Sequence, residues 1–535
     1  MSKKMFAPEL FRPPLDIPEV PYDHLFRAAA ARNPEQLAII HHNLTLTYRE
    51  VASMVNCIAN GLYELGLRKG DRLNLFLVNR PEYIITFIAA ASIGVVVSPM
   101  NPSYKEREVA YQLANSEAQA ILVQNELIPT FNLALKQGEF PQLKHILVTG
   151  ASVPETLPDA IPYATLMRRS SPRKPPHVDV SSDDLLALPY SSGTTGLPKG
   201  TMLTHRNLVS NNLQFCNAMG INRDDVALLF LPFYHIYGVM LTGSMLATGG
   251  TQVIMERFDL LQSLELCEKH KVTIYFAVPP IIIGLANAPV DLSKMSTVKY
   301  IFSGAAPLSI DPAHRLQEKL PTTTVVQGYG LTEASPLTHS QARDPELTRL
   351  GSVGFLTHNT EQKIVDIETG TQEVAPGEQG ELLIRGPQVM QGYWHAPEET
   401  ARTLEKDGWL HTGDVAYVDE DGYTYIVDRK KEMIKYHGFG IAPAEIEALL
   451  LEHPQIADSA VIGVPDDEAG QLIKGIVVLK PGVTLTTEDV LTFANGKLAG
   501  YKRIHFIEFI DIIPKTASGK ILRRELTERE KTRQK

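Results

Sequence analysis

A chain of 535 residues, 44% hydrophobic and 21% charged, has the material of an ordinary globular protein with a large core and roughly two to four domains. A net charge of −10, a sequence pI near 5.9 and the lack of any basic stripe argue against a nucleic-acid surface. The three cysteines, Cys57, Cys216 and Cys267, stand far apart without metal-ligand spacing, which fits a reducing, cytoplasmic setting.

The opening MSKKMFAPELFRPP breaks into prolines before any apolar run, so it does not read as a signal peptide. Residues 1–25 are Pro-rich and read as a segment lying over the surface. From about 26 to 185, helix-like and strand-like segments alternate. YREVASMVNCIANGLYELG is an amphipathic helix ending at Gly66, and RLNLFLVN and QAILVQ are strands. Such alternation predicts a mostly parallel sheet with helices on both faces. Two runs without Asp, Glu, Lys or Arg, 83–100 and 226–255, are long enough for a membrane span. Gly94 divides the first, and Pro232, Gly238, Gly243 and the Gly249-Gly250 pair break the second. Both therefore read as buried units of a layered α/β protein, and only peripheral membrane contact stays open.

The stretch YSSGTTGLPKG, 190–200, packs four Ser/Thr hydroxyls, three Gly and a Lys behind the strand-like run 185–188. THRNLVSNN beyond it reads as a helix start. Such a loop can turn several backbone N–H groups toward one point, and hydroxyls and Lys199 add donors, so a polyphosphate is the natural ligand. It lacks the GK[ST] ending of a P-loop.

Between 205 and 340 the alternation resumes, with TQVIM, TIYFAV, YIFSG and TTVVQGYG as strands. FSGAAPLS, 302–309, is small-residue-rich after a strand, which suits either tight packing or a flat ring against its backbone. VVQGYGLTEASP, 325–336, places Tyr329, Thr332 and Glu333 at another strand end, where ligands of open α/β sheets sit. Glu333, the only carboxylate there, is either a helix-start residue or a Mg²⁺ ligand beside phosphates. After about 350, short strands such as GELLIRG and YTYIVD mark a β-rich subdomain. Asp414 follows a Thr-Gly turn and Arg429 comes later; a carboxylate can accept both ribose hydroxyls, and an arginine can bridge ribose and phosphate. From 432 a separate small α+β domain is expected, with helices in APAEIEALLLEHP and TEDVLTFANGKL, strands in SAVIGVPD and KGIVVLKPG, and a polar tail. Lys520 stands in that domain after a Ser-Gly turn.

In order and spacing, GTTGLPKG, YGLTEA, GWLHTGD, DRKKEMIKYHGF and PKTASGKI resemble the adenylate-forming enzymes, the superfamily of acyl-CoA synthetases, luciferases and adenylation domains. The resemblance runs from about 25 to 526. It implies a large N-terminal domain of layered sheets, 1–428, with its β-rich part at about 350–428, a hinge at 429–431 centred on Lys431, and a mobile C-terminal domain, 432–535. It further implies that Ser191, Ser192, Gly193, Thr194, Thr195, Gly196 and Lys199 cradle the phosphates of ATP. Gly304, Ala305 and Ala306 would line the adenine and acyl pocket. Tyr329 would stack on adenine in the segment Gln327, Gly328, Tyr329, Gly330, with Thr332 at the α-phosphate and Glu333 on Mg²⁺. Asp414 and Arg429 would bind ribose, and Lys520 would bridge carboxylate and phosphate in a first half-reaction. Lys435 and the backbone around Gly438 would serve a second, in which coenzyme A displaces AMP, and His235 would sit beside the acyl carboxylate.

The acid pocket implied by these positions is apolar: Tyr237, Val239, Met240, Gly304, Gly330, Pro336 and Leu337, with no carboxylate between Asp225 and Glu256 to hold an ammonium group. VMQGYWHAPEET and DRKKEMI resemble fatty acyl-CoA synthetases, whereas FYHIYG and KYHGFGIAPAEIE resemble the 4-coumarate ligase and luciferase branch. Gly440 departs from the Gln common in that branch. The expected substrate is a medium- to long-chain fatty acid; an aryl or cinnamate-type acid, transfer to a carrier protein and a non-catalytic relative are the alternatives, and a homodimer stays open.

Overall fold

A computed structural model describes residues 12–191, 198–437, 439–466, 468–516 and 519–533. Two mostly parallel sheets dominate its larger part. In the first, strands Tyr300–Ser303, Ile274–Ala277, Val226–Leu229, Thr251–Ile254 and Leu37–His41 run side by side in parallel, with Thr324–Gly330 next to Tyr300–Ser303. Antiparallel strands close both edges, Leu337–Ser340 and Phe355–Leu356 at one and Leu44–Thr47 at the other. The second sheet has Val96–Pro99, Arg72–Phe76, Ala120–Val123 and His145–Val148 in parallel. Helices Tyr48–Glu64 and Pro81–Ser92 pack on each other, the first against the edge of sheet one and the second against sheet two. Buried on both faces, such strands read as continuous apolar runs rather than alternating ones.

Both apolar runs resolve as expected. Residues 83–100 divide at Gly94 between helix Pro81–Ser92 and strand Val96–Pro99, and 226–255 form strand Val226–Leu229, helix Ile236–Thr248 and strand Thr251–Ile254. Among the described residues no helix is long and apolar enough to cross a membrane. All three cysteines are free and buried.

A four-stranded antiparallel sheet, Glu361–Val365, Gly380–Arg385, Leu410–Val418 and Thr424–Arg429, follows, and then a five-stranded sheet built on Ile456–Asp466 and Gly470–Leu479. This last sheet has its own core around Ile446, Val461, Ile473 and Val490.

Two expectations change and one gains a strand. The segment before Tyr22 does more than lie on the surface: the buried Arg12 guanidinium donates to the carbonyls of Phe355, Leu356 and Ser340, at 2.7–2.9 Å, and so caps a sheet edge. The stretch YSSGTTGLPKG runs into a strand, Lys199–Thr204, that pairs back on Tyr190–Ser191, and the helix then starts within THRNLVSNN as expected, at His205 after the cap Thr204. The polar tail is a helix, Arg523–Arg533, in which only Leu526 is buried. Ion pairs hold it in place of an apolar face, Arg523 to Glu447 at 2.7 Å and Glu530 to Lys474 at 2.5 Å, so it carries no periodicity to read.

Candidate active site

The C-terminal ends of parallel strands are where backbone polar groups open toward solvent and ligands are received. In sheet one, three such ends meet: the loop after Val226–Leu229 brings His235, the turn after Tyr300–Ser303 brings Gly304 and Ala305, and Thr324–Gly330 ends in Tyr329 and Gly330, with Thr332 and Glu333 just beyond. Together with Lys199, Thr412, Arg429 and residues of the C-terminal part they enclose a cavity of about 1020 Å³.

The ribose-type pair is a cross-strand pair: Asp414 stands directly opposite Arg429 in the antiparallel ladder. Arg429 Nε lies 2.6 Å from Asp414 Oδ1, and the Tyr329 hydroxyl donates to Asp414 Oδ2 at 2.5 Å. Burial pushes the Asp414 carboxyl up, and Arg429 and Tyr329 pull against that shift. Burial works most strongly against the charge of Arg429, but Asp414, Tyr329, Glu333 and Glu432 together outweigh it and raise the guanidinium. Each carboxylate oxygen keeps a second lone pair, but Asp414 itself is buried, 2% exposed, behind the wall that Thr412, Gly413 and Arg429 line.

Gly304 and Tyr237 form one wall of the inner cavity. A Cβ on Gly304 would sit 3.1 Å from the Tyr237 ring, so the absence of a side chain lets ring and backbone approach closely. The Tyr237 hydroxyl reaches the Phe302 carbonyl at 3.4 Å, and burial pushes it well above its ordinary value, leaving it neutral. Ile236, Met240, Phe302, Pro336 and Leu337 complete an apolar end. Gly330 has a stricter reason to be glycine: a Cβ there would lie 2.1 Å from the Pro336 carbonyl oxygen.

His235 caps helix Ile236–Thr248, its Nδ1 accepting from Tyr237 N at 3.2 Å. Burial holds it at about 4, so the ring is neutral, and with Nδ1 accepting, Nε2–H is its donor. Glu333 takes a hydrogen bond from the Tyr393 hydroxyl at 2.8 Å. Lys199 lies 2.5 Å from Glu399 Oε2 on the cavity wall.

The C-terminal part supplies the roof with Thr516, Lys520 and Leu522. The turn is tight: Thr516 N donates to Lys520 O at 2.8 Å, Lys520 N to Thr516 Oγ1 at 3.1 Å, and Leu522 N to Pro514 O at 2.9 Å. Gly519, at φ +84°, is seated on the larger part: its Cβ, if present, would be 2.9 Å from Pro280. Burial lowers Lys520, Arg429 adds to the shift, and Glu432 and Asp414 oppose it. Lys431 is lowered to about 8, first by burial and then by Lys520 and Arg429. Arg429, Lys430, Lys431, Lys520 and Lys199 thus converge on one space, an arrangement suited to a polyanion.

Some expected positions fall elsewhere. Ala306 and Gln327 are not on the cavity wall; Gln327 is strand backbone, its N–H bonded to Gln341 Oε1 at 3.0 Å. Lys435 is off the cavity, 3.6 Å from Glu368. Ser192, Gly193, Thr194, Thr195, Gly196 and Gly438 lie outside the described residues, and Ser191 is described by its backbone, which pairs with Lys199. Sequence reading missed Tyr393 and Glu399. Both stand in QGYWHAPEET, and their signal is the pairing of strand Gly392–Tyr393 with Lys199–Thr204, which is a non-local contact.

A model of the family "AMP-binding enzyme" matches residues 26–394, and one of the "AMP-binding enzyme C-terminal domain" matches 445–520. The chain is 40% identical over 498 residues to a 4-coumarate-CoA ligase 1 of Narcissus pseudonarcissus, covering 91% of this chain and 89% of that protein. It is 40% identical over 496 residues to a 4-coumarate–CoA ligase 1 of Petroselinum crispum, with coverage of 91% and 89%. Among solved structures, ATP-bound MatB from Rhodopseudomonas palustris superposes with a TM-score of 0.88 at 28% identity, covering 96% of this chain and 100% of that one. The anthranilate CoA ligase AuaEII, in complex with anthranoyl-AMP, does so at 0.87 and 26%, covering 96% and 98%.

Proposed function

The chain belongs to the AMP-binding enzyme family, and on that premise we propose that it joins an aromatic, cinnamate-type acid to coenzyme A. It is an AMP-forming acid–CoA ligase that works through an acyl-adenylate. The relatives named as 4-coumarate–CoA ligases, matched over about nine-tenths of both chains, support the aromatic acid over the fatty acid expected from VMQGYWHAPEET and DRKKEMI. The observation that carries the reading within this chain is the wall made by Tyr237 and Gly304. The same end of the cavity is lined by Ile236, Met240, Phe302, Pro336 and Leu337, apolar groups against which an aromatic ring can pack.

In the first step a carboxylate oxygen of the acid bonds to the α-phosphorus, and the bond to the bridging oxygen breaks, so pyrophosphate leaves with the electron pair. No covalent enzyme group is required; the barrier falls through in-line positioning and charge at the phosphoryl oxygens. Lys520 and Lys199 are placed to supply that charge, while Asp414 and Arg429 orient the ribose. The neutral His235 offers Nε2–H to the acid rather than competing as a base. Of the carboxylates on the cavity wall, Glu381 and Glu399 are paired with Lys430 and Lys199, and Glu333, which takes the Tyr393 hydroxyl, is the one that would hold a Mg²⁺ beside the phosphates. When bound, that ion neutralises phosphoryl charge. In the second step the thiol sulfur of coenzyme A bonds to the acyl carbon and AMP departs with the carbon–oxygen electron pair.

Scoring a panel of cinnamate-type and fatty acids for CoA-dependent AMP formation tests the reading. A medium-chain fatty acid with the highest kcat/KM in the panel would overturn the aromatic assignment while leaving the ligase reaction intact.

A further inference from the structure

A second cluster lies apart from the nucleotide cavity. Strand Leu37–His41 ends in His41, His42 follows in the tight turn to Leu44–Thr47 at φ 53°, and His41 pairs in parallel with Ile254, two residues before Glu256. Neighbouring strand ends therefore deliver two imidazoles and a carboxylate to one place. His41 Nε2 is 3.3 Å, and His42 Nε2 3.7 Å, from Glu256 Oε1, and one ligand atom from each residue falls within 4.8 Å of the others. Among the described residues this is the one group of three metal-ligating side chains so close.

His41 supplies the second observation. It is only 7% exposed, and its Nε2 is buried without a hydrogen bond. A buried ring nitrogen that approaches a carboxylate oxygen at 3.3 Å but makes no hydrogen bond to it is costly, and a shared ligand would satisfy it. Tetrahedral zinc with ligands at about 2.0–2.1 Å keeps those ligands roughly 3.4 Å apart. The two separations to Glu256, 3.3 and 3.7 Å, are close to that span, and the three ligand atoms all lie within 4.8 Å of one another. A hollow of about 300 Å³, lined by His42, Met255, Glu256 and Phe258, gives access from solvent and room for water in the remaining position. Arg80 is the opposing charge, 3.7 Å from Glu256, but its own bonds run to Glu82 at 3.3 Å.

We propose that His41, His42 and Glu256 bind one divalent transition-metal ion of the zinc class. Two imidazoles with one carboxylate favour zinc, nickel or copper over the oxygen-seeking Mg²⁺ and Ca²⁺. The ion ties the edge hairpin to strand Thr251–Ile254. The next residue, Met255, accepts from Asn79 Nδ2 at 3.4 Å, and Asn79 Oδ1 in turn takes the Phe233 N–H at 2.8 Å, two residues before His235.

The test uses the full chain stripped with a chelator and titrated with ZnCl₂ alone in a calorimeter, with Co²⁺ absorption as a spectroscopic check. Expected are one equivalent bound, a melting temperature that rises with Zn²⁺ concentration, and no competition from millimolar Mg²⁺. Glu256→Gln and His42→Gln should each weaken Zn²⁺ more than about tenfold, the scale at which even outer-shell partners of a metal count. His42 is on an exposed turn, so its variant tests the proposal even where His41→Gln fails to fold. Equal Zn²⁺ affinity in wild type, Glu256→Gln and His42→Gln, or no saturable binding in the wild type, overturns it.

Discussion

Gly304 earns its place by what it lacks. With a Cβ only 3.1 Å from the Tyr237 ring, any larger residue pushes that ring or fills the space proposed for the acid. Gly304→Val should lower kcat/KM for ring acids by at least about tenfold relative to a short unbranched acid, the usual discrimination for a methylene-sized change. Unchanged relative activities across the panel would remove the pocket assignment. Lys431 offers a second test through protons. It sits at about 8 because burial and the cations Lys520 and Arg429 disfavour its charge. A bound triphosphate reverses that balance and raises the value. ATP binding near pH 8 should therefore take up protons, and affinity should fall as pH rises from about 8 toward the raised value. Calorimetry in two buffers of different ionisation heat measures the uptake, and zero uptake at that pH would count against it. At this scale the sequence was most legible where a residue type has one chemical use, as with Asp414 facing Arg429. It was least legible for Tyr393 and Glu399, whose partners lie far away in the chain.

The elements were read well wherever a strand or helix is buried on its own account, because apolar runs and breakers such as Gly94 carry the signal. The last helix, Arg523–Arg533, escaped because charge holds it. Arg523 bonds both Glu432 and Glu447, and Asp428 beside them accepts from Ala444 N at 2.9 Å, so strand Thr424–Arg429, helix Pro443–Leu451 and the last helix share one polar node. Arg523 lies three residues beyond Lys520 in the same turn-to-helix segment. Arg523→Met would strand the buried Glu447 and the half-buried Glu432 and should cost about 3–5 kcal/mol. The expected readout is a lower melting temperature, lost amide protection over 523–533, and slower adenylation through a displaced Lys520. A variant with wild-type melting and wild-type adenylation would show that the node does not anchor this segment.

For the whole molecule, the structure holds the C-terminal part with Lys520 over the cavity and Lys435 away from it. One arrangement cannot present both, so the proposal of a hinge at 429–431 predicts separable defects. Lys520→Ala should slow pyrophosphate release without CoA by at least about 10²-fold, the scale for one preorganised contact to a transition state. It should spare CoA consumption from synthetic acyl-adenylate. Lys435→Ala should do the reverse. Equal loss in both assays from both variants would sink the two-pose reading. The layered α/β architecture and the second small unit were legible in composition and periodicity. The pose between them was not, because it depends on contacts such as Gly519 on Pro280 that leave no pattern in either segment alone.

That seat of Gly519 on Pro280 has a hydrodynamic consequence. If the seat must be vacated and retaken in every catalytic cycle, a unit of some hundred residues swings through solvent twice per turnover, and the swing is opposed by friction rather than by bond-making. Thickening the medium with sucrose should then slow kcat in proportion to viscosity while leaving single-turnover pyrophosphate release from the preassembled complex nearly untouched. A kcat indifferent to viscosity would mean that bond rearrangement, not the swing, sets the pace.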